Sequence, residues 1–181
     1  MSRQSIPSHP VSPIPPDDLR RNLTIADPNK NGRFAHLGIV GDTYTILLSG
    51  DDTDGRYCLI DMHVPPGGGP PPHRHDFEES FTILKGEIET TFRGKQLLVR
   101  AGETVSIPAN APHSFINASG QPARLLCICA PAGIDEFFLE IGVPVASRTA
   151  QASKPDQAAE ITMMAKLIAL LPKYRTEILK P

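Results

Sequence analysis

The sequence predicts an all-β fold, a small antiparallel β-barrel followed by a C-terminal helix. Three features of the chain lead there. Between Phe34 and Ala130, short runs rich in β-branched and aromatic residues recur between Gly, Pro, Asn and Asp clusters, the texture of a sandwich or barrel. Gly86 and Gly94 fall between consecutive runs, where the chain must reverse, and glycine supplies the positive φ that tight hairpin turns demand. Only after Ala130 does the apolar spacing change to three and four residues, the period of a helix.

Taken in order, the chain opens with a Pro/Ser-rich stretch carrying Pro7, Pro10, Pro13, Pro15 and Pro16. Such a composition buries too little apolar surface to offset chain ordering, so residues 1–21 are expected to be a flexible arm. Strands are expected near Phe34–Val40, Thr43–Ser49, Arg56–Val64, Glu79–Lys85, Glu87–Arg93, Lys95–Val99, Thr104–Ile107, His113–Asn117 and Ala123–Ala130. Asp135–Ile141 reads as one or two helical turns with Gly142 as C-terminal cap. In Pro155–Leu171, the residues Ile161, Met164, Ala165, Ile168 and Leu171 make an apolar stripe, with Ser153 as N-cap and Pro172 as stop. The stripe either covers the chain's own barrel or meets a second copy. The expected division is therefore an arm at 1–21, a barrel at 22–145 and a helical extension at 146–181. No internal repeat suggests a second barrel.

Composition narrows the partners. The 181 residues carry 18 Lys+Arg against 20 Asp+Glu, a net charge of −2, so no polybasic surface points to nucleic acid or an anionic membrane. No apolar run reaches the 18 residues of a membrane span, and the first 25 residues hold no apolar stretch of the kind a secretory signal needs. A cytoplasmic setting and a small-molecule partner are expected. Cys58, Cys127 and Cys129 lack the C-x-x-C spacing of zinc or redox sites and are expected to be reduced. Cys127 and Cys129 share a strand face in an apolar run, which favours core packing over a soft metal pair.

The stretch that carries chemistry runs from Gly67 through His73, His75 and Glu79 to Gly86. Two histidines separated by one residue share a face in a strand and stand about 7 Å apart, close enough to converge on one cation. Glu79 has the same parity and brings a harder oxygen ligand to the same side, while Glu78 points away. Downstream, Gly102, Pro108, Asn110, Pro112, His113 and Asn117 place a third histidine at the start of an apolar strand.

These two stretches resemble the paired motifs of the cupin superfamily. The first pattern, G-x5-H-x-H-x3-E-x6-G, is matched in full by Gly67, His73, His75, Glu79 and Gly86. The second, G-x5-P-x-G-x2-H-x3-N, is matched by Gly102, Pro108, His113 and Asn117. Asn110 replaces its glycine, a mild departure because Asn also tolerates a left-handed turn. The resemblance spans roughly residues 32–142, and the Pro65–Pro72 tract followed by Glu79–Gly86 looks like the quercetin dioxygenase-like single-domain cupins. It implies a jelly-roll barrel of two antiparallel sheets holding a metal on His73, His75, Glu79 and His113.

Three neutral imidazoles and one carboxylate leave a divalent ion at charge +1 with open positions if it is octahedral. Iron(II) suits this set best; manganese, nickel, copper and zinc also fit it. The leading expectation is a dioxygenase that binds an enol or phenol as its oxyanion, with dioxygen as co-substrate. By the resemblance, Glu79 both ligates the ion and accepts the substrate hydroxyl proton. Phe81, Ile83 and Phe115 share parity with Glu79 and His113 and are expected either to line a substrate pocket or to be ordinary core. Two alternatives stand beside this: Lewis-acid isomerase or lyase chemistry without redox, and a cupin that binds a small ligand without turnover. No helix-turn-helix segment flanks the barrel to suggest a regulator.

The remaining candidates are weighed as non-ligands. His9, His36 and His63 lack partner spacing, and Arg74 points away from the site toward solvent or Asp76, or else clamps a substrate carboxylate. Phe137, Phe138 and the apolar helix offer more surface than a small barrel buries, which suggests a homodimer.

Overall fold

Period-two alternation becomes two antiparallel sheets whose apolar faces meet. The structure, a computed structural model, describes residues 13–29, 35–151 and 157–180. The elements are β1 (His36–Ile39), β2 (Asp42–Leu48), α1 (Gly50–Thr53), β3 (Cys58–Val64), β4 (His73–His75), β5 (Glu78–Lys85), β6 (Glu87–Phe92), β7 (Lys95–Arg100), β8 (Thr104–Ile107), β9 (His113–Ile116), β10 (Ala123–Ala130), α2 (Ile134–Ile141), β11 (Val143–Pro144), α3 (Gln157–Leu170), a 3-10 turn (Leu171–Tyr174) and β12 (Thr176–Ile178). One sheet has the order β11-β1-β2-β3-β10-β5-β8 and the other β12-β4-β9-β6-β7. Between them lies the core, built on fully buried Ile60, Val64, Ile83, Ile88, Ile107 and Leu125.

The strand expectations hold, with informative differences. Gly86 and Gly94 take φ of +77° and +78°, and Asn110 takes +66°, so the left-handed positions fall where the turns need them. The short helix α1 was not expected; a reciprocal capping box between Ser49 and Asp52 starts it. Gly142 follows α2 and donates its N–H to the Phe138 carbonyl, but at φ −71° it is not a left-handed cap. Glycine is needed there because a Cβ would lie 2.6 Å from the Phe138 oxygen and 2.8 Å from Leu37 Cβ.

The C-terminal region departs most. Leu167, Leu170, Leu171 and Tyr174 pack against the core, whereas Ile161 and Ile168 of the expected stripe are 64% and 57% exposed. The segment is apolar almost all round, so periodicity alone could not choose its buried face. Ser153, the expected N-cap, lies outside the described residues, as do Phe34 and most of the expected arm. Phe137 is buried and Phe138 packs on the core, so this pair is satisfied within the chain. The chain does not end in helix: β12 returns to the barrel and pairs with β4, Thr176 opposite His75, Glu177 opposite Arg74 and Ile178 opposite His73. Among the described residues, no helix is long and apolar enough to cross a membrane.

Candidate metal centre

The loop of residues 65–72 aims β4 into the barrel. Gly69 sits at φ +126°, where a Cβ would fall 2.2 Å from the Phe115 carbonyl oxygen. Two backbone bonds, Gly67 N–H to Asn117 O at 2.8 Å and Asn117 N–H to Gly68 O at 2.9 Å, fasten this loop to the end of β9. Asn117 is fully buried. Its Nδ2 donates to the Val64 and Gln121 carbonyls, both at 2.9 Å, and its Oδ1 accepts from Ser119 N–H at 3.0 Å and Ser119 Oγ at 2.7 Å. This motif asparagine is thus a structural clamp.

β4 contributes His73 and His75, β5 Glu79 and β9 His113, with His73 directly opposite His113. One ligand atom from each of the four lies within 4.8 Å of every other. Each Nδ1 meets a backbone carbonyl two residues away: His73 on Pro71 at 2.9 Å, His75 on Phe77 at 3.0 Å and His113 on Ala111 at 2.9 Å. An Nδ1–H given to a carbonyl leaves the Nε2 lone pair for the centre. Phe77 stacks on His75 with ring centroids 3.7 Å apart and planes 1° from parallel, fixing that ring further.

Glu79 Oε2 lies 3.2 Å from His75 Nε2 and 3.1 Å from His113 Nε2. With neutral rings this sets lone pairs against a carboxylate oxygen, an arrangement relieved by a proton on Nε2 or by a metal cation between them. A borderline divalent ion matches these nitrogens and this oxygen, so the residues fit a metal. Burial pushes the Glu79 carboxyl up, but its contacts with His113 and His75 outweigh that and hold it well below the usual carboxylate range. Burial, reinforced by His113, lowers His73 to about 4. For His113 burial also works downward, yet the bonds to Glu79 and Ala111 leave it raised.

The cluster opens on a cavity of about 210 Å³. Phe81 and Phe115 line it, edge to face at 5.2 Å. Ile83, expected either beside them or in the core, is buried in the core, because the cavity reaches only Glu79 and Phe81 of β5. The sequence reading missed a larger share of the wall. Asp42 and Tyr44 enter from β2, Phe137 and Phe138 from α2, and Leu167, Ile168, Leu171 and Ile178 from the C-terminal region. Asp42 was hidden because Gly41-Asp42 falls between two expected strands, whereas the structure makes it the first residue of β2. It is 2% exposed, accepts from Tyr44 Oη at 3.3 Å on Oδ2, and has no partner on Oδ1. Burial pushes its carboxyl up to about 7.

Other expected residues fall elsewhere. Arg74 points away from the site, as its parity requires, and pairs with Glu177 on β12 at 2.6 Å, while Asp76 pairs with Arg175. Glu78 faces outward and accepts the Ala109 N–H at 3.2 Å. His36 bonds Thr45 Oγ1 at 2.8 Å, and His63 lies on β3 outside the cluster. His9 lies outside the described residues. Cys127 and Cys129 are buried as expected, but they also touch the other oxygen of Glu79. A hydrogen bond with Cys129 lowers the Cys127 thiol, yet burial and the Glu79 charge outweigh it and push it up to about 12.

Residues 60–129 match the Cupin_2 family model, described as a cupin domain. This stretch is a cupin domain. The cupin domain and its flanks are 24% identical over 108 residues to quercetin 2,3-dioxygenase of Bacillus subtilis, a match covering 59% of this chain and 32% of the relative. They are 36% identical over 95 residues to the HTH-type transcriptional regulator PuuR of Escherichia coli, covering 52% of this chain and 51% of the relative. The chain therefore spans about a third and about half the length of these two proteins. Among solved structures, the polyketide cyclase RemF of Streptomyces resistomycificus superposes with a TM-score of 0.52 at 22% identity, covering 80% of this chain and 99% of that one. At that identity the likeness shows the cupin fold alone: two antiparallel sheets with a C-terminal helix.

Proposed function

We propose that this cupin is a metal-dependent dioxygenase acting on a small enolic or phenolic molecule. The observation that carries the reading is a buried three-histidine, one-glutamate cluster opening on an apolar, aromatic-walled cavity. Distant homology to quercetin 2,3-dioxygenase supports it. A divalent ion held by His73, His75, Glu79 and His113 supplies Lewis acidity and, if redox-active, dioxygen chemistry; iron(II) suits this best.

The chain's own residues handle orientation and protons. Phe81, Phe115 and Phe137 exclude water and offer faces to a planar substrate. Glu79 accepts the proton of a substrate hydroxyl at Oε2. The contacts that hold this carboxylate low also make it a weak base, and Asp42, raised to about 7 by burial, is the better-matched proton carrier on the same cavity wall.

The test is oxygen uptake by iron(II)-loaded protein across flavonols, catechols and β-diketones, with metal content measured by plasma mass spectrometry beside His75→Ala. Turnover that disappears together with the metal in the variant is the expected result. A stoichiometric iron complex that consumes no oxygen with any of them overturns the reading. A second reading, a cupin that binds its ligand without turnover, draws on the similarity to PuuR; tight binding by the same panel without oxygen uptake favours it.

A further inference from the structure

All three cysteines of the chain gather on one side of Glu79. Cys129 lies opposite Glu79 on β5 and opposite Cys58 on β3, so one row across three neighbouring strands reads Glu79, Cys129, Cys58. Cys127, two residues along β10, shares the same inward face and burial. Its Sγ is 3.5 Å from Glu79 Oε1, that of Cys129 is 3.7 Å from the same oxygen, and the two sulfurs are 3.6 Å apart. His75 and His113 use the other oxygen, Oε2.

These spacings are those of a coordination shell. A tetrahedral ion with metal–sulfur bonds of about 2.3 Å and a metal–oxygen bond of about 2.0 Å sets its sulfurs about 3.8 Å apart and each sulfur about 3.5 Å from the oxygen. Ordinary core packing explains buried thiols, but not why Cys127 and Cys129 both sit beside the carboxylate oxygen that His75 and His113 leave free.

We propose that Glu79, Cys127 and Cys129, with Cys58 adjoining, form a second cation site for a thiophilic divalent ion such as zinc or cadmium, sharing the Glu79 carboxylate with the three-histidine site. Binding converts two thiols to thiolates and releases two protons to solvent; no electron is transferred. Two thiolates cancel the two charges of the second ion, so its binding adds no net charge to the buried centre and avoids the cost of an isolated charge. Glu79 lines the cavity and neither thiol does, so an entering ion meets the three-histidine site before the thiol site. This inference needs only the placement of Glu79 and does not rest on the dioxygenase reading.

The experiment titrates cobalt(II), then cadmium(II), into the reduced, metal-free full chain under anaerobic conditions. Two ions per chain are expected. The second should bring a sulfur-to-cobalt charge-transfer band in the near ultraviolet and the release of about two protons. Cys127→Val/Cys129→Val should lose the band and take one ion, while His75→Ala should keep the band. A wild-type chain that takes a single ion without the band overturns the proposal, as does a double variant whose band and stoichiometry are unchanged. Should the double variant fail to fold, X-ray absorption on the wild type carrying two zinc ions decides: a zinc–sulfur path at about 2.3 Å supports the site and its absence refutes it. Oxygen uptake is not read in either arm, so failure here leaves the dioxygenase reading untouched.

Discussion

Replacing Asn117 by Ala should destabilise the protein strongly while leaving its metal stoichiometry intact. The residue occupies a motif position four after a histidine ligand, which invites a role at the metal, yet its amide does none of that work. It makes four hydrogen bonds within a fully buried turn. Truncation strands the Val64 carbonyl in the interior, a desolvation loss of about 1–3 kcal/mol, and removes three further bonds worth about 0.5–1.5 kcal/mol each. The single Ser119 hydroxyl proton, released from Asn117 Oδ1, can turn to the Gln121 carbonyl 2.9 Å away, which recovers part of this, so a net loss of about 3–4 kcal/mol is expected. For a chain of this size that lowers the melting temperature by roughly 6–16 °C. Asn117→Asp should be no milder, because it turns a carboxylate oxygen toward two carbonyls. Thermal and urea unfolding measure the loss, and plasma mass spectrometry of the folded variant measures the metal. A melting temperature within 2 °C of wild type, or a variant that melts normally but arrives without metal, would refute the clamp.

Two further perturbations test the electrostatics. Asp42 is raised to about 7 in the folded state, so between about pH 4 and 7 the folded chain keeps a proton that the unfolded chain has lost. Rising pH therefore withdraws stability across that window. Asp42→Asn should gain on the order of 3 kcal/mol over wild type at pH 8 and almost nothing near pH 4; a pH-independent difference in urea unfolding would contradict this. Arg124 holds the buried Asp61 carboxylate through contacts of 2.6–3.2 Å. Arg124→Met should cost about 3–5 kcal/mol by leaving that charge unpaired, and Asp61→Leu/Arg124→Met should recover most of it. A double variant no more stable than the single one would argue against the pair.

The barrel and the candidate ligand set were legible because both are written in short-range pattern. His73, His75 and Glu79 share strand parity, and His113 follows a turn whose Pro108 and Asn110 announce it. The cavity was less legible because its wall is assembled by sheet order, not by spacing: Asp42 and Tyr44 lie on a strand more than twenty residues before the motif. Ile83 takes the core alternative of its reading, because parity selects a face but not a depth along the strand. The buried side of α3 was hidden for a different reason, since a segment apolar all round has no preferred face until its neighbours are in place. The thiol row was hidden in the same way, because Cys58 and Cys129 become neighbours only through the β3–β10 register.

β12 ties this hidden part of the fold to the candidate metal site. β4 is three residues long and meets β9 in register at a single pair, His73 with His113, but meets β12 at three. Arg74 to Glu177, Asp76 to Arg175, and Leu179 N–H to the Pro72 carbonyl at 2.8 Å reinforce the outer side. A histidine strand held so lightly by β9, its other neighbour in the sheet, should depend on this late strand for its geometry. Truncation after Tyr174 should leave the melting temperature of the barrel nearly unchanged, because the removed residues bury little of the core, yet weaken metal binding by about 10–100-fold, the range seen when the supports of metal ligands are removed. Competition against a chromophoric chelator measures the affinity, with circular dichroism as the control for folding. Unchanged affinity in a folded truncated chain would mean that the imidazole bonds to Pro71, Phe77 and Ala111 suffice to set the ligands, and that β12 merely covers an edge.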